Sequence, residues 1–270
     1  MKTIAIYGKG GSGKSTVAAN LSVQFARRGL KTLQIGCDPK HDSTRLLMGG
    51  KRIETVIDMI EKGFDEGRDE FKKPLYLKEG LEGIGCIETG GPESGKGCAG
   101  LGIVSAFRLL GRHKVLEQYE VILMDVLGDV VCGGFAMPLS RGISSGVVIV
   151  VGDTIMSLYA ANNIAKAIVH YQRNGARLLG LVVNATKEPG RLDAVRRFAA
   201  ALGAEILEIV PYDDVFAEAE RTGLPVSAMQ PDCTTARKFE KLSGRLLEAR
   251  GTVPCPMDDD SWERFLRETT

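Results

Sequence analysis

The sequence predicts an α/β protein built on one doubly wound, mostly parallel sheet. Short, continuously apolar runs alternate with helix-length amphipathic segments along its 270 residues, and strands buried on both faces have this composition. A glycine-rich loop joins the first apolar run to the first amphipathic segment, which is where open α/β sheets bind phosphate groups. Since we find no linker-like or low-complexity stretch, we expect a single domain over residues 1–270.

The predicted elements follow one another in regular order. We expect strands at residues 3–7, 32–36, 121–125, 146–151, 178–184 and 204–210. We expect the clearest helices at residues 14–28, 157–172, 192–202 and 234–249. Residues 63–80 are charged and irregular, which indicates a surface excursion. Residues 254–270 begin with closely spaced prolines, and two alternatives stay open for them, a short docking helix or a frayed tail.

Charge and composition argue against several classes of function. Lys plus Arg number 35 and Asp plus Glu number 34, so the net charge favours neither nucleic acid nor an anionic membrane. No apolar run approaches the roughly 18 residues of a membrane span, and the first residues lack a signal-peptide pattern. We therefore expect a cytoplasmic protein that binds neither nucleic acid nor membrane, with its six cysteines reduced.

The glycine-rich loop at residues 8–15, GKGGSGKS, fits the phosphate-binding pattern G-x-x-x-x-G-K-[ST] in its required place between strand and helix. Backbone N–H groups of such a loop point at phosphate oxygens, and the helix dipole favours negative charge. Lys14 is expected to reach the outer phosphates and Ser15 to ligate Mg²⁺. A glycine-rich turn that fits by chance is the alternative. The candidate nucleotide-binding residues here are Gly8, Lys9, Gly10, Gly11, Ser12, Gly13, Lys14, Ser15 and Thr16.

Further acidic residues stand at two predicted strand ends. Asp125 ends an apolar strand, as the metal-binding acid of a Walker B strand does, and Asp129 follows one short loop later. Asp38 follows another strand, with Lys40 and Asp42 close behind. Carboxyl ends of parallel strands form the ligand crevice, so these residues are expected to converge on the phosphate loop. Taken singly, an Asp after a strand is more often a helix cap or a turn residue.

Lys9 occupies the second position of the phosphate loop. It is expected to point away from the phosphates bound by its own loop and to reach a nucleotide across a dimer interface. A solvated surface lysine is the alternative interpretation.

Two of the cysteines differ from the others in their surroundings. Cys98 and Cys132 lie in the glycine-rich segments GKGCAG and VVCGGF, where backbone can approach an inorganic group closely. A helix running from Cys98 to Leu110 would lower the pKa of the Cys98 thiol. For a lone cysteine, a buried and inert side chain is the alternative. A cubane cluster needs four thiolates, so a two-fold axis between chains would complete a [4Fe-4S] site. The remaining cysteines are interpreted as structural: Cys37, Cys86, Cys233 and Cys255.

Several motifs together resemble one family over residues 1 to about 240. YGKGGSGKST, CDPKHDSTRLL, GGPESGKGCAG and DVLGDVVCGGFAMP, in that order, are similar to the nitrogenase iron proteins, the ATP-dependent reductase components of nitrogenase. The resemblance implies a P-loop NTPase of the deviant Walker A type and a homodimer with one MgATP per subunit. It also implies one [4Fe-4S] cluster held by Cys98 and Cys132 of both chains, with ferredoxin or flavodoxin as the electron donor.

The resemblance also implies roles for individual residues. Residues 38–42 would form a first switch, with Asp38 near the metal and the attacking water. Residues 125–132 would form a second switch, in which Asp125 senses Mg²⁺ and the γ-phosphate. Asp129 would act near the nucleotide across the interface, as Lys9 would. The resemblance places further residues around the nucleoside, namely Asn184 and Asp213 near the adenine and Glu220 near the ribose.

The sequence departs from the family pattern at a few positions. Leu101 follows CAG where an arginine of the docking face is usual, and this change replaces a fork of hydrogen-bond donors with an apolar side chain. Tyr212, Ala217 and Ser12 stand where arginine, glutamine and isoleucine are usual. We therefore predict a nitrogenase-like catalytic partner other than nitrogenase, of the methylthio-alkane reductase or nickel-tetrapyrrole cyclase type. The alternatives are a true nitrogenase iron protein, a cluster-free partitioning or positioning ATPase, and a metal-insertion or cluster-carrier ATPase.

Overall fold

The computed structural model describes residues 1–62, 73–91, 99–128, 136–144, 146–184 and 192–269. Its strands are Lys2–Tyr7 (β1), Thr32–Cys37 (β2), Lys78–Glu79 (β3), Gly85–Glu88 (β4), Val121–Val126 (β5), Gly146–Val151 (β6), Leu178–Asn184 (β7) and Ile206–Val210 (β8). Over the described residues they form an eight-stranded sheet in the order β3-β4-β2-β5-β1-β6-β7-β8. Only the β3–β4 pair is antiparallel there, so the prediction of a mostly parallel sheet is confirmed.

The helices of the described residues cover both faces of this sheet. They are Lys14–Arg27 (α1), Val56–Glu61 (α2), Lys73–Tyr76 (α3), Ala99–Arg112 (α4), Met137–Ser140 (α5), Ile155–His170 (α6), Leu192–Leu202 (α7), Val215–Thr222 (α8), Val226–Met229 (α9), Thr234–Glu248 (α10) and Asp259–Thr269 (α11). Short 3-10 helices lie at Arg45–Met48, Leu81–Gly83, Leu116–Gln118 and Gln172–Asn174.

Alternation along the central strand shows how the two layers of core are built. In β1, Ile4 and Ile6 pack with the apolar sides of α1 and α10. Ala5 and Tyr7, between and after them, pack on the opposite face with α4, α6 and α7. Because successive side chains of a strand point to opposite faces, a continuously apolar strand needs helices on both sides. This is the doubly wound arrangement that the sequence predicts.

The long predicted strands and helices all exist, with ends shifted by at most a few residues. The predicted surface excursion at residues 63–80 is partly wrong: residues 63–72 lie outside the described residues, but α3 and β3 follow them. The sequence does not predict the edge strand β3 or its neighbour β4, because each has at most four residues, too few for a period-two pattern.

The C-terminal segment forms the helix α11 and packs on the body of the same chain. Trp262 and Phe265 are buried against Phe198 of α7. Before the helix, the side-chain amide of Asn162 donates to the carbonyl oxygen of Met257 at 2.8 Å and accepts from its N–H at 2.9 Å. Over the described residues the tail is therefore a docked helix and not a frayed end.

Candidate functional site

The phosphate loop follows β1, and two of its glycines have a backbone conformation and surroundings that disfavour a side chain. Gly8 has φ of +150°, and a Cβ on it would overlap the carbonyl oxygen of Val150. Gly13 has φ of +88°, and its Cβ would lie 2.5 Å from the side-chain nitrogen of Asn184. Side chains other than hydrogen are strained in this region of φ, so the loop is free of Cβ atoms where backbone must approach a ligand.

The helix α1 begins directly at this loop. Within the described residues, no side chain caps its first turn and no acidic residue lies there, so its N–H groups present their positive end to the loop. Lys14 is 8% exposed, and its Nζ donates to the carbonyl oxygen of Lys9 at 3.2 Å. A buried ammonium beside uncapped N–H groups is suited to bind a polyphosphate.

Asp125 lies in β5, next to the start of α1. Its carboxylate is buried and accepts hydrogen bonds from the side chains of Ser15 and Ser43. Burial raises the pKa of Asp125 and nearby Asp38 adds to this, while Ser15, Lys14 and Ser43 act in the opposite direction. The carboxylate and the hydroxyl offer the oxygen ligands that Mg²⁺ prefers, and the ammonium of Lys14 beside them is suited to the charge of the phosphates.

The loop after β2 carries the other predicted acids. The Oδ1 of Asp38 accepts from the backbone N–H of Lys40 at 2.9 Å, which closes a tight turn, and His41 follows with φ of 42°. Asp38 lies close enough to Asp125 to raise its pKa. Lys40 is exposed, and it is not among the described residues that line the cleft beside the phosphate loop.

A cleft of about 570 Å³ opens beside the phosphate loop. Its walls come from the loop itself, from the turn after β6, and from the segment joining β8 to α8. Asn184 ends β7 and lines the cleft, and its side-chain nitrogen donates to the carbonyl oxygen of Ser12 at 3.0 Å. The predicted binding residues that line the cleft are Lys9, Gly10, Gly11, Ser12, Gly13, Thr16, Asn184, Asp213 and Glu220.

The two acids at the far end of the cleft differ in how they are held. The carboxylate of Asp213 accepts from the backbone N–H of Val215 at 3.0 Å and from the hydroxyl of Thr235, so both of its oxygens are already bonded. Glu220 is exposed on α8. Asp213 thus fixes the start of α8 while it lines the cleft, and Glu220 is open to solvent and to a ligand.

The predicted cluster ligands Cys98 and Cys132, together with Asp129, lie outside the described residues. The structure does describe the segments that lead to them. Helix α4 begins at Ala99, directly after Cys98 in the chain. On the other side, Gly128 packs so tightly on the phosphate loop that a Cβ would overlap the carbonyl oxygen of Gly8 and lie 2.8 Å from the N of Gly10.

The remaining cysteines have other environments. Cys37 and Cys86 are buried, and burial raises the pKa of both thiols, that of Cys86 to about 12. The sulfur of Cys233 accepts from the N–H of Ala236 at the start of α10, so these three serve the structure. Cys255 is exposed, so the structural interpretation is wrong for its side chain. Among the described residues, no group of three or more histidine, cysteine, aspartate or glutamate side chains is placed to hold a metal ion by itself.

Sequence reasoning missed Glu88, the last residue of β4. It is 1% exposed, and burial, with smaller contributions from Asp125 and Asp42, raises its pKa to about 8. A glutamate that ends an apolar strand and is followed by Thr-Gly-Gly is the signal that could have pointed to it.

A comparison with family models decides the classification. The model of the 4Fe-4S iron–sulfur cluster binding proteins, NifH/frxC family, matches residues 2–270. The chain belongs to this family. Curated relatives include a nitrogenase iron protein of Methanospirillum hungatei, 41% identical over 99% of this chain and 95% of the relative. Others are nitrogenase iron protein 2 of Methanothermococcus thermolithotrophicus, at 39% over 96% and 93%, and nitrogenase iron protein 1 of Methanothermobacter thermautotrophicus, at 38% over 98% and 97%.

Solved structures resemble this member of the NifH/frxC family in fold. The cell division ATPase MinD of Pyrococcus furiosus is 20% identical with a TM-score of 0.67, over 92% of this chain and 98% of that one. A ParA family ATPase of Chlorobium tepidum is 17% identical with a TM-score of 0.71, over 90% and 98%. At these identities the likeness establishes the P-loop ATPase fold alone.

Family membership fixes the class of activity. The chain is an ATP-hydrolysing reductase component of the nitrogenase type, and its cofactors are a [4Fe-4S] cluster and MgATP. Membership implies a homodimer that docks on a nitrogenase-type catalytic partner. Among the helices of the described residues, none combines the length and apolar character that crossing a membrane requires.

Proposed function

We propose that this reductase is a homodimer that hydrolyses MgATP to pass low-potential electrons, one at a time, to a nitrogenase-like partner other than nitrogenase. The contacts of β5 and of the residues directly after it support the ATP-dependent part of this proposal. Asp125 is hydrogen-bonded to Ser15 of the phosphate loop, and the chain then packs Gly128 against that loop before it runs to Cys132. One segment thus connects the phosphates with a cluster ligand, so nucleotide state and cluster environment change together.

MgATP fits the described residues, because the loop is rich in glycine, the helix that follows it begins without a side-chain cap, and Lys14 is buried beside it. Mg²⁺ when bound neutralises phosphate charge. Lys14 would hold the outer phosphates, Ser15 would ligate the metal, and Asp125 would respond to both. Asp38 would orient the attacking water, with Lys40 and Asp42 completing its loop.

Residues at the cleft's far end would bind the nucleoside. The side-chain oxygen of Asn184 would accept from the adenine amino group while its nitrogen holds the loop, Asp213 would flank the base and Glu220 would reach the ribose. Lys9 and Asp129 would act on the nucleotide of the partner subunit.

Cys98 and Cys132 of both chains would hold the cluster, which stores the electron that is transferred. Anaerobic iron analysis of the purified dimer should find about two irons per chain. Cys132→Ala should abolish iron binding and leave nucleotide binding intact. Cys255→Ala is the matched control, because Cys255 is exposed and should keep full iron content. Retention of the cluster in Cys132→Ala would refute the ligand assignment, and an iron-free native dimer would indicate a cluster-free partitioning ATPase.

The choice of partner rests on Leu101 in the first turn of α4. Substitution of a docking arginine by leucine removes charge-assisted donors and changes which surface is complementary. We favour a partner of the methylthio-alkane reductase or nickel-tetrapyrrole cyclase type, with ferredoxin or flavodoxin as donor in the cytoplasm. A true nitrogenase iron protein is the second candidate, and the names of the curated relatives support it.

Capture of the native complex distinguishes the two partners. The protein is trapped with MgADP and aluminium fluoride under anaerobic conditions, pulled down from its own organism and analysed by mass spectrometry. Recovery of a different, related heterotetramer or a tetrapyrrole-binding protein is the expected result. Recovery of molybdenum-iron nitrogenase subunits would overturn the choice of partner and leave the reductase function standing.

A further inference from the structure

Glu88 occupies a position in the sheet from which its side chain reaches the neighbouring loops. Glu88 pairs with Gly36 of β2, and Gly36 pairs on its other side with Asp125 of β5. Residues paired in this way in a parallel sheet direct their side chains to the same face. Gly36 has no side chain, and a Cβ there would overlap the Oε2 of Glu88 and lie 2.8 Å from the Cβ of Ser43. The carboxyl group of Glu88 therefore extends over β2 towards Asp125.

The loop after β2 is fastened to this carboxyl group at its far end. The Oε1 of Glu88 accepts from the backbone N–H of Thr44 at 2.6 Å and from its hydroxyl at 2.7 Å. The neighbouring Ser43 donates to Asp125 and is held by Gln34, whose side-chain nitrogen lies 2.9 Å from the Ser43 carbonyl oxygen. All five residues are buried, so these bonds are costly to break without replacement.

The chain that follows Glu88 leads directly to the proposed cluster ligand. Thr89 donates to the carbonyl oxygen of Gly36 from its N–H at 2.8 Å and its hydroxyl at 2.9 Å. Gly91 packs on the ring of Pro39, where an added Cβ would lie 3.0 Å from two ring carbons. Its Cα also lies 3.9 Å from a Cβ placed on Gly102 of α4. The segment is thus placed between the loop that follows β2 and the helix that begins after Cys98.

A free oxygen remains on Glu88 in this arrangement. Oε2 is buried and has no hydrogen-bond partner among the described residues, although Oε1 has two donors from Thr44. Among the described residues, Thr44 provides the hydrogen bonds that orient this carboxyl group. If the loop after β2 moves, the residue loses the contacts that fix its orientation.

We propose that Glu88 is a positioning residue that couples the nucleotide-responsive loop at residues 38–44 to the Cys98 side of the cluster. Movement of this loop on nucleotide exchange shifts Thr44 and Pro39, and these displace Glu88 and Gly91 at the entrance of the segment that bears Cys98. This is a second connection between nucleotide and cluster, separate from the segment that runs from Asp125 to Cys132. It rests on the ligand role proposed for Cys98.

Removal of cluster iron by a ferrous chelator tests this connection. The rate of iron removal from the cluster-loaded dimer is measured with and without MgATP. A coupling of typical size predicts that MgATP changes this rate by about tenfold or more in the native protein. In Glu88→Ala the nucleotide effect should fall below about twofold, while the dissociation constant of MgATP changes less than about threefold. Glu88→Gln keeps an acceptor for Thr44 and should retain the nucleotide effect.

Glu208→Gln is the matched control. Glu208 of β8 is also a buried carboxylate, and β8 is remote from the loop after β2. Its Oε1 lies 2.9 Å from the Nζ of Lys238 on α10. A full nucleotide effect in Glu88→Ala would overturn the proposal, as would its loss in both Glu88 variants. If Glu88→Ala does not fold, Thr44→Val removes one donor to the same oxygen, and an undiminished nucleotide effect in that variant would also overturn it.

Hydrogen exchange separates this proposal from the cluster assignment. MgADP should alter exchange at residues 99–112 in the native dimer and leave it unchanged in Glu88→Ala. If Cys98→Ala retained its iron, the cluster assignment would fail, but exchange would still report whether Glu88 transmits nucleotide state to α4. Equal exchange responses in the native protein and Glu88→Ala would contradict the connection whatever ligates the cluster.

Discussion

The two sides of the phosphate loop differ in how their polar groups are held. On the side of β4, β2 and β5, called the phosphate end here, Asp125, Glu88 and Thr44 are buried, Glu88 accepts from Thr44, and Asp125 accepts from Ser43 of the loop after β2. At the base end, beside β7 and β8, Tyr212 is 51% exposed and Glu220 also faces solvent. A buried network must rearrange as a unit when one member changes partners, whereas exposed side chains exchange a ligand for water at little cost.

This difference predicts that one end governs ATP binding and the other governs ATP hydrolysis and the signal to the cluster. We expect changes at the phosphate end to lower the rate of ATP hydrolysis and the signal passed to the cluster. Changes at the base end should weaken ATP binding and leave the rate of the bound complex close to native.

The largest effect is expected from Lys14→Ala. Loss of the buried ammonium removes charge stabilisation at the outer phosphates, so ATP hydrolysis should fall by about 10³-fold. Phosphate release at saturating MgATP measures it, and thermal denaturation verifies the fold. Lys241→Ala, which changes an exposed lysine of α10, is the control. A loss confined to KM would contradict the distinction between the two ends.

Gly128→Ala should have the next largest effect. The added methyl group collides with the backbone of Gly8 and Gly10 and must displace the segment after β5. A displacement of about 1 Å at such a site costs about 10²-fold in hydrolysis rate. Gly111→Ala is the control, because no neighbouring atom of the described residues lies within 4 Å of its added Cβ. Native hydrolysis in Gly128→Ala would show that this contact is not needed.

At the base end, Asn184→Ala should weaken ATP binding. It removes the bond to the carbonyl oxygen of Ser12 and the proposed acceptor for the adenine. The KM for ATP should rise about tenfold, equivalent to about 1.4 kcal/mol, with kcat within about twofold of native. Steady-state hydrolysis over a range of ATP concentrations separates the two constants. A large fall in kcat would mean that both ends take part in the response.

The smallest perturbation is a labelling experiment that leaves function unchanged. Cys86 in β4 is buried with its pKa raised to about 12, so it has little thiolate at pH 8, whereas Cys233 near the base end is partly exposed. Since the thiolate is the reactive form, brief alkylation at pH 8 should modify Cys233 and spare Cys86 until the protein is unfolded. Peptide mass spectrometry reads both sites, and equal labelling would show that β4 opens readily.

Elements of the site that depend on neighbours in the chain were predictable from the sequence. The phosphate loop needs glycines, a lysine and a hydroxyl at fixed spacing, and Asp125 needs only to end an apolar strand. The central strands were predictable for the same reason, because burial on both faces requires apolar residues at every position. The short strand β4 has too few residues to produce such a pattern.

The sequence by itself determined the fold class, the phosphate loop and the family, because each depends on local composition and spacing. Only the tertiary structure decided that Glu88 lies over Gly36, that Gly128 closes on Gly8, and that the tail docks on α7. These contacts join residues far apart in the chain. Their existence follows from strand order and register, which bring together side chains whose separation in sequence carries no periodic signal.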